Sequence, residues 1–292
     1  MVRITDDILY RVEKPSRYVG GELNEVIKDP KEVDIRFGFC FPDVYEVGMS
    51  HLGSRILYHV LNQRKDTYCE RVYAPWPDME KLMRENNIPL YALETKDPIN
   101  EFNFLAFTLQ YEMSYTNILN MLNMGGIPLR ASERTEKDPL VIAGGPCAYN
   151  PEPLYDIVDI FQLGEGEEGL NDLLDLYQKH KDNFNKEAYL REASHIPSVY
   201  IPSLYDVTYN EDGTIKEFIP KYDDVPKKVK KRIINNFDQV DFPESLIVPY
   251  SEIVHDRVVL ELFRGCTNGC RFCQAGMIYR PVREKSRKTL LD

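Results

Sequence analysis

Three of the six cysteines lie within eight residues, as Cys266, Cys270 and Cys273. Their spacing is C-x3-C-x2-C, and Gly265 and Gly269 allow the backbone to turn so that three thiolates can point into one volume. Soft metal centres take such ligands. Iron–sulfur clusters usually take four thiolates, so three would leave one iron of a [4Fe–4S] cluster with an open coordination site. We therefore expect a [4Fe–4S] cluster here, with an open iron at which a cofactor or substrate can bind.

A structural zinc site is the alternative chemistry for these cysteines. A structural zinc ion is coordinated by four protein ligands, usually from paired C-x2-C or C-x2-C…H-x3-H units. This chain has only one C-x2-C unit. His255 could be a fourth ligand, but it precedes the apolar run that leads into the loop. The N-terminus MVRITDDILY is polar and does not resemble a signal peptide. We therefore expect a cytoplasmic protein without disulfides.

The cysteine motif resembles the cluster loop of the radical S-adenosylmethionine (SAM) superfamily. The spacing matches, as do Phe272 before the last cysteine, Arg264 and Gly265 before the first, and the apolar run Val258 to Phe263, which predicts a buried strand. The resemblance implies that SAM binds the open iron and is cleaved to a 5′-deoxyadenosyl radical. It also implies that the backbone near Phe272 faces the adenine, and that a protein such as flavodoxin or ferredoxin supplies the electron.

Loops in the N-terminal part carry a second resemblance. Residues 41–53 (FPDVYEVGMSHLG), 143–146 (AGGP), 150–153 (NPEP) and 164–167 (GEGE) are similar to the N-terminal half of B12-binding-domain radical SAM proteins, and more narrowly to an uncharacterised branch of them. This implies a cobalamin-type domain ahead of a SAM barrel, and methyl transfer if cobalamin binds. The candidate cofactor-binding residues are Phe272, Gly164, Gly166, Gly144 and Gly145.

The usual histidine ligand to cobalt is missing from this pattern. Relatives that ligate cobalt carry D-x-H-x-x-G, whereas this chain has Asp43-x-Tyr45-x-x-Gly48. Tyrosine, with a pKa of about 10, is a poor replacement for imidazole. His51 is a second candidate, although its spacing beside Leu52 is typical of a packed helical residue. Two alternatives stay open. Cobalamin binds without a protein ligand to cobalt, or the domain has lost cobalamin.

The Gly164 to Gly169 loop formally matches the G-x-G-x-x-G dinucleotide motif. Glu165, Glu167 and Glu168 would face the phosphates at a helix start, where like charge opposes the helix dipole. We therefore predict that this loop does not bind a nucleotide, and that its acidic residues stabilise the helix.

Two other functions compete with a one-cluster radical enzyme. Methylthiotransferases carry the same cysteine spacing and use three further cysteines for a second cluster, and Cys40, Cys69 and Cys147 are also three. We predict instead that these three are buried core thiols. The other alternative is a non-enzymatic zinc or iron–sulfur module that docks a partner.

Alternating apolar strands and amphipathic helices predict an α/β fold with a parallel sheet. Strands are expected at 33–41, 70–74, 89–93, 104–108, 139–143 and 157–163, and helices from about 49 and at 78–85, 112–124 and 165–179. A short helical turn is expected at 23–28, and a hairpin at 204–209 and 214–219 about the turn Asn210 to Gly213. A final helix is expected at 274–279.

These elements predict four regions. They are a lead-in (residues 1–30), a Rossmann-like B12-binding-type domain (31–195), a hairpin and charged linker (196–244), and the beginning of a radical SAM βα barrel (245–292). Because such a barrel needs further βα units, we expect this chain to be the N-terminal portion of a longer protein, without full activity alone.

Charge is distributed unevenly along the chain. The net charge is −11, but residues 221–292 carry 14 lysines and arginines against 10 aspartates and glutamates. The overall charge argues against non-specific nucleic-acid binding by the whole chain. The basic C-terminal part, with its run at 226–232, is a candidate for contact with RNA or another anionic partner, and a solvated linker is the default expectation.

Overall fold

A central sheet organises residues 35–200 in the computed structural model, which describes residues 2–291. Its strands are β1 (Ile35–Phe41), β2 (Thr67–Tyr73), β3 (Phe104–Thr108), β4 (Leu140–Gly144), β5 (Ile160–Gln162) and β6 (Val199–Tyr200). The spatial order is β2-β1-β3-β4-β5-β6, and every neighbouring pair is parallel except β5 and β6. The predicted α/β class with a mostly parallel sheet is confirmed, and the order β2-β1-β3-β4-β5 is the flavodoxin-like one.

Helices cover both faces of this sheet. The described helices are α1 (Asp6–Leu9), α2 (Tyr45–Ser50), α3 (Leu52–Gln63), α4 (Pro77–Glu85), α5 (Tyr115–Met124), α6 (Gly166–His180), α7 (Lys186–Ala193), α8 (Ala275–Ile278) and α9 (Arg287–Leu291). The crossovers through α3 and α4 run in opposite directions along the sheet, so right-handed connections place them on opposite faces. Arg64, directly after α3, contacts Asn171 of α6 at 3.2 Å, and Arg84 of α4 contacts Asn123 of α5 at 3.1 Å.

Large aromatic side chains fill the core between the sheet and the helices. Phe37, Phe104 and Phe161 are fully buried in β1, β3 and β5. Strands covered on both faces have apolar side chains on both sides, which explains why they are continuous apolar runs in the sequence. Phe104 packs edge-on against Tyr177 of α6, with ring centroids 4.9 Å apart.

Two N-terminal predictions were wrong. Residues 89–93 form no strand, because the buried Tyr91 makes only a bridge to Pro98 and Leu93 donates its N–H to the carbonyl of Arg71. The apolar character of this segment therefore comes from burial of a loop. Residues 23–28 are not helical, because Asn24 has φ +69° and Leu23 pairs with Val248.

The region around residue 50 contains two helices where one was expected from about Met49. α2 begins at Tyr45, and the backbone is extended at His51 (ψ 108°) before α3 begins.

Helix α7 was missed, although its sequence carries a start signal. Asn185 caps α7 by accepting the N–H of Ala188 at 2.8 Å.

The remaining strands lie outside the central sheet. β7 (Tyr205–Tyr209) and β8 (Ile215–Pro220) form the predicted hairpin, while β9 (Phe263–Arg264) and β10 (Arg283–Glu284) pair antiparallel. The prediction of a buried strand at 258–263 was wrong, because Val258 is 86% exposed and the described residues provide no partner strand before Phe263. The expected helix near 274–279 is present as the short α8.

None of the helices between residues 2 and 291 combines the length and the apolar character required to span a membrane.

Candidate functional site

A cleft of about 1160 Å³, open to solvent, lies at the carboxyl ends of β1, β3, β4 and β5. We call it the sheet-edge cleft. It is bordered by the loops after these strands, through residues such as His51, Thr108, Gly145 and Glu165. The strand order reverses between β1 and β3, and doubly wound sheets bind ligands at such switch points. Apolar side chains, among them Ile142 of β4, form its floor.

All four glycines that were predicted to bind a cofactor border this cleft. They are Gly144, Gly145, Gly164 and Gly166. Gly145 (φ +98°) and Gly164 (φ +95°) adopt backbone conformations that favour glycine. A Cβ on Gly164 would overlap the backbone of Arg232, and one on Gly145 would lie 2.9 Å from the carbonyl oxygen of Leu109. The backbone alone therefore accounts for glycine at these two positions, with no ligand required.

His51 borders the sheet-edge cleft as the N-cap of α3. Its Nδ1 accepts the N–H of Ser54 at 3.1 Å and lies 2.7 Å from the Ser54 hydroxyl. Burial lowers the pKa of His51 to about 4, against a smaller opposing hydrogen bond with Gln110. Since Nδ1 accepts a backbone N–H, the single proton of the neutral ring lies on Nε2. Neither ring nitrogen then offers a lone pair to cobalt.

Tyr45, at the position of the usual cobalt ligand, lies outside the cleft. It is buried in the core, where its hydroxyl donates to Glu22 Oε1 at 2.7 Å. Glu22 in turn accepts from Arg71 Nη2 at 2.9 Å. Burial, with the charge of Glu22, raises the pKa of Tyr45 well above its usual value. The tyrosine is therefore a structural residue of the core.

The three cysteines of the motif lie on a loop that joins β9 to β10. We call residues 265–282 the cysteine loop. Cys270 is exposed, Cys266 and Cys273 are half-buried, and Phe272 is 94% exposed. Between residues 2 and 291, no three or more His, Cys, Asp or Glu side chains are gathered so that they could hold a metal ion. The structure thus does not bring the three thiols together.

The donor set itself fits an iron–sulfur cluster. All three thiols are free of disulfides, and they lie on one exposed loop. Gly265 has φ +104°, and a Cβ on Gly269 would meet nothing within 4 Å. The type and number of ligands are those of an open cluster site. The convergence of thiols that a cluster requires is not present in this arrangement of the loop.

The other three cysteines are buried core thiols, as predicted. Cys40, Cys69 and Cys147 are shielded from solvent. Burial raises the pKa of both Cys40 and Cys69, which lie in the interior of β1 and β2. Metal ligation needs thiolates, so these positions are poorly suited to a second cluster.

Charged side chains join the cysteine loop to the cleft. Arg264, directly before the loop, has an Nη2 atom 2.6 Å from Glu167 Oε1 and an Nε atom 2.7 Å from Glu261 Oε1. Burial opposes the charged form of Arg264, but hydrogen bonding to Glu261 and the charge of Glu167 outweigh it and raise the pKa. Arg283, directly after the loop, places Nη1 2.5 Å from Glu165 Oε1. The sequence analysis named Arg264 only as part of the cysteine motif, and it missed Arg283.

Two basic residues of the linker contact other parts of the same chain. Lys231 donates to the backbone carbonyl of Ile278 at 2.6 Å, and Arg232 pairs with Glu168 at 3.1 Å. Lys227, Lys228 and Lys230 are exposed. The expected contact with RNA or another anionic partner stays a prediction.

Comparison with known proteins gives one family match. The family model described as "Radical SAM proteins, N-terminal" matches residues 53–202, from α3 to the end of the sheet. "Uncharacterized protein MJ0966" of Methanocaldococcus jannaschii is 26% identical over 246 residues, which are 83% of this chain and 41% of the relative. The chain thus spans about two fifths of that relative's length. No solved structure matches the chain.

Proposed function

Because this chain belongs to the family of radical SAM proteins through their N-terminal domain, we propose that it serves a radical SAM enzyme whose [4Fe–4S] cluster is held by Cys266, Cys270 and Cys273. The observation that carries this proposal is the trio of free thiols, at C-x3-C-x2-C spacing, on an exposed loop attached to the sheet-edge cleft. Three ligands leave one iron open for SAM.

The residues of this chain have distinct roles in the proposal. The three thiolates hold the cluster, and the backbone near Phe272 contacts the SAM adenine. The exposure of Phe272 leaves its surroundings accessible to a ligand. When bound, the cluster and SAM would together supply a 5′-deoxyadenosyl radical that abstracts a hydrogen atom from the substrate.

Cobalamin is the second cofactor of the proposal, placed in the sheet-edge cleft beside Gly144, Gly145, Gly164 and Gly166. The residues present do not fit a cobalt ligated by the protein. Tyr45 is hydrogen-bonded to Glu22 in the core, and His51 Nδ1 accepts the N–H of Ser54. If cobalamin binds in the cleft, it would be held by its ring and tail, without a protein ligand to cobalt.

The observations do not favour a methylthiotransferase with two clusters. Such an enzyme would need thiolates at Cys40, Cys69 and Cys147, and these thiols are buried in the core. The proposal therefore contains one cluster. It also includes the four regions with bounds at residues 30, 195 and 244, a cytoplasmic location, and a flavodoxin or ferredoxin as the reductant. The region bounds and the location are predicted from the sequence pattern, and the reductant rests on the resemblance alone.

Anaerobic reconstitution with iron and sulfide tests the proposal. The protein is then reduced, and its electron paramagnetic resonance spectrum is recorded with and without SAM. We expect a brown protein with a [4Fe–4S]⁺ signal that changes shape when SAM binds the open iron. A colourless protein that holds one zinc ion would support the docking module instead. A cluster signal that SAM leaves unchanged would also contradict the proposal.

A further inference from the structure

Two arginines mark the ends of the cysteine loop. Arg264 of β9 and Arg283 of β10 are direct cross-strand partners, so the 18 residues between them leave and return at one point. Like charges placed opposite each other on paired strands repel. These short strands, of two residues each, therefore need an external anion to hold the base of the loop closed.

The acidic loop after β5 supplies that anion. Glu165 Oε1 lies 2.5 Å from Arg283 Nη1 and 3.5 Å from Arg264 Nη1, so one carboxylate lies between the two guanidinium groups. Glu167 adds a contact to Arg264 at 2.6 Å. The Gly164 to Gly169 motif thus binds arginines of the same chain, which explains acidic residues where a nucleotide site would need neutral or basic ones.

These contacts are shielded from water. The exposed fractions of the Arg264, Arg283, Glu165 and Glu167 side chains are 15, 12, 13 and 11%. Arg264 also lies 5.0 Å from the centre of the Phe237 ring. Ion pairs at this depth are weakly screened, and removal of one partner leaves an uncompensated charge.

The position of Glu165 is itself fixed by the backbone. Gly164 forms a parallel bridge with Arg232, and the N–H of Ile234 donates to Glu165 Oε2 at 2.5 Å. The carboxylate is therefore also held by the linker segment at residues 232–234, in addition to its contacts with the arginines at the base of the cysteine loop. Glu165, Glu167 and Arg264 also border the sheet-edge cleft.

We infer that Glu165 and Glu167 are positioning residues, which hold the base of the cysteine loop over the sheet-edge cleft through Arg264 and Arg283. The inference rests on the proposed function only in taking the loop as the holder of the cluster. The contacts between the glutamates and the arginines need no metal. A ligand in the cleft would touch the same carboxylates, so the cleft and the loop form one unit.

Hydrogen exchange of the metal-free chain tests this inference, with mass spectrometry of peptides that cover residues 261–285. In Glu165→Gln and Glu167→Gln we expect these peptides to exchange about tenfold faster, while peptides of β1 and β3 are unchanged. The matched control is Glu168→Gln. Glu168 follows Glu167 in the first turn of α6 but pairs with Arg232, so this variant should exchange like the wild type.

Arg283→Gln probes the same contact from the other side and serves if a glutamate variant fails to fold. Unchanged exchange at residues 261–285 in the folded variants would overturn the inference, and so would an equal change in Glu168→Gln. Because no iron is present, the result does not depend on whether the cysteines bind a cluster. After iron loading, the SAM-induced spectral change should be weaker in Glu165→Gln at equal iron content, which a general loss of stability would not produce.

Discussion

Side chains at the mouth of the sheet-edge cleft are held by neighbours on the same chain. His51 caps α3 through Ser54, and Glu165 holds Arg283. Each of these residues could be mistaken for a ligand from its type alone. Their hydrogen bonds assign them to the framework of the site, and leave the three thiols of the cysteine loop as the candidate metal ligands.

The low pKa of His51 predicts a stability that depends on pH. The pKa falls from 6.5 to about 4 on folding, so the unfolded chain binds more protons between these values. Stability contributed by the neutral ring is therefore complete above pH 6.5 and is lost as the pH falls towards 4. Between pH 7 and 5 the loss should be about 2 kcal/mol.

Urea denaturation of His51→Asn at both pH values measures this effect. Asparagine is also a good N-cap, so the variant removes the titration and keeps the capping group. We expect the difference in unfolding free energy between pH 7 and 5 to be about 2 kcal/mol smaller than in the wild type. An identical difference in both proteins would show that His51 titrates normally in the folded state.

Loops, strands and a helix meet at a buried ion pair at the amino end of β5, away from the sheet-edge cleft. Asp159, before β5, accepts from Arg134 Nη2 at 2.9 Å, contacts Lys186 of α7 at 3.0 Å and accepts the N–H of Val141 in β4. The side chains of Arg134 and Asp159 are 0 and 1% exposed. Asp159 therefore joins β4 and the start of β5 to α7.

Asp159→Asn should destabilise the protein by about 3 kcal/mol, because it leaves the Arg134 charge buried without its counterion. The matched control is Asp156→Asn, whose partner Arg130 lies 3.9 Å away and is 63% exposed. That variant should lose less than about 1 kcal/mol. Chemical denaturation compares the two, and equal losses would mean that the buried pair contributes no more than the exposed one.

The sequence predicted those elements whose pattern is local. β3 and the β7–β8 hairpin follow from short apolar runs and from the turn at Gly213 (φ +81°). Residues 89–93 were misassigned because burial of a loop and pairing of a strand select the same apolar side chains. Residues 258–263 were misassigned for the opposite reason, since an apolar run forms a strand only where a partner strand exists.

The candidate site was only partly predictable. Its loops could be located, because the carboxyl ends of parallel strands share one edge of the sheet. The contact between Glu165 and Arg283 joins residues 118 positions apart, and no local pattern specifies such a pair. The strand order, which brings β1 and β3 together, is likewise a property of the tertiary fold.

For the molecule as a whole, a doubly wound domain and a cysteine loop are joined by partly buried ion pairs at one cleft. In the proposed enzyme, this arrangement would bring the cluster next to the sheet-edge cleft. The metal that the loop binds distinguishes the proposed enzyme from the alternatives. All of them use the same three cysteines, but they differ in the metal or in the number of irons per chain.

Iron content after anaerobic reconstitution tests this claim most directly. We expect about four irons per wild-type chain, and loss of iron and of brown colour in Cys266→Ala, Cys270→Ala and Cys273→Ala. Cys147→Ala, which removes a buried core thiol, should keep its iron. Unchanged iron in any of the three loop variants, or one zinc ion and no iron in the wild type, would contradict the account.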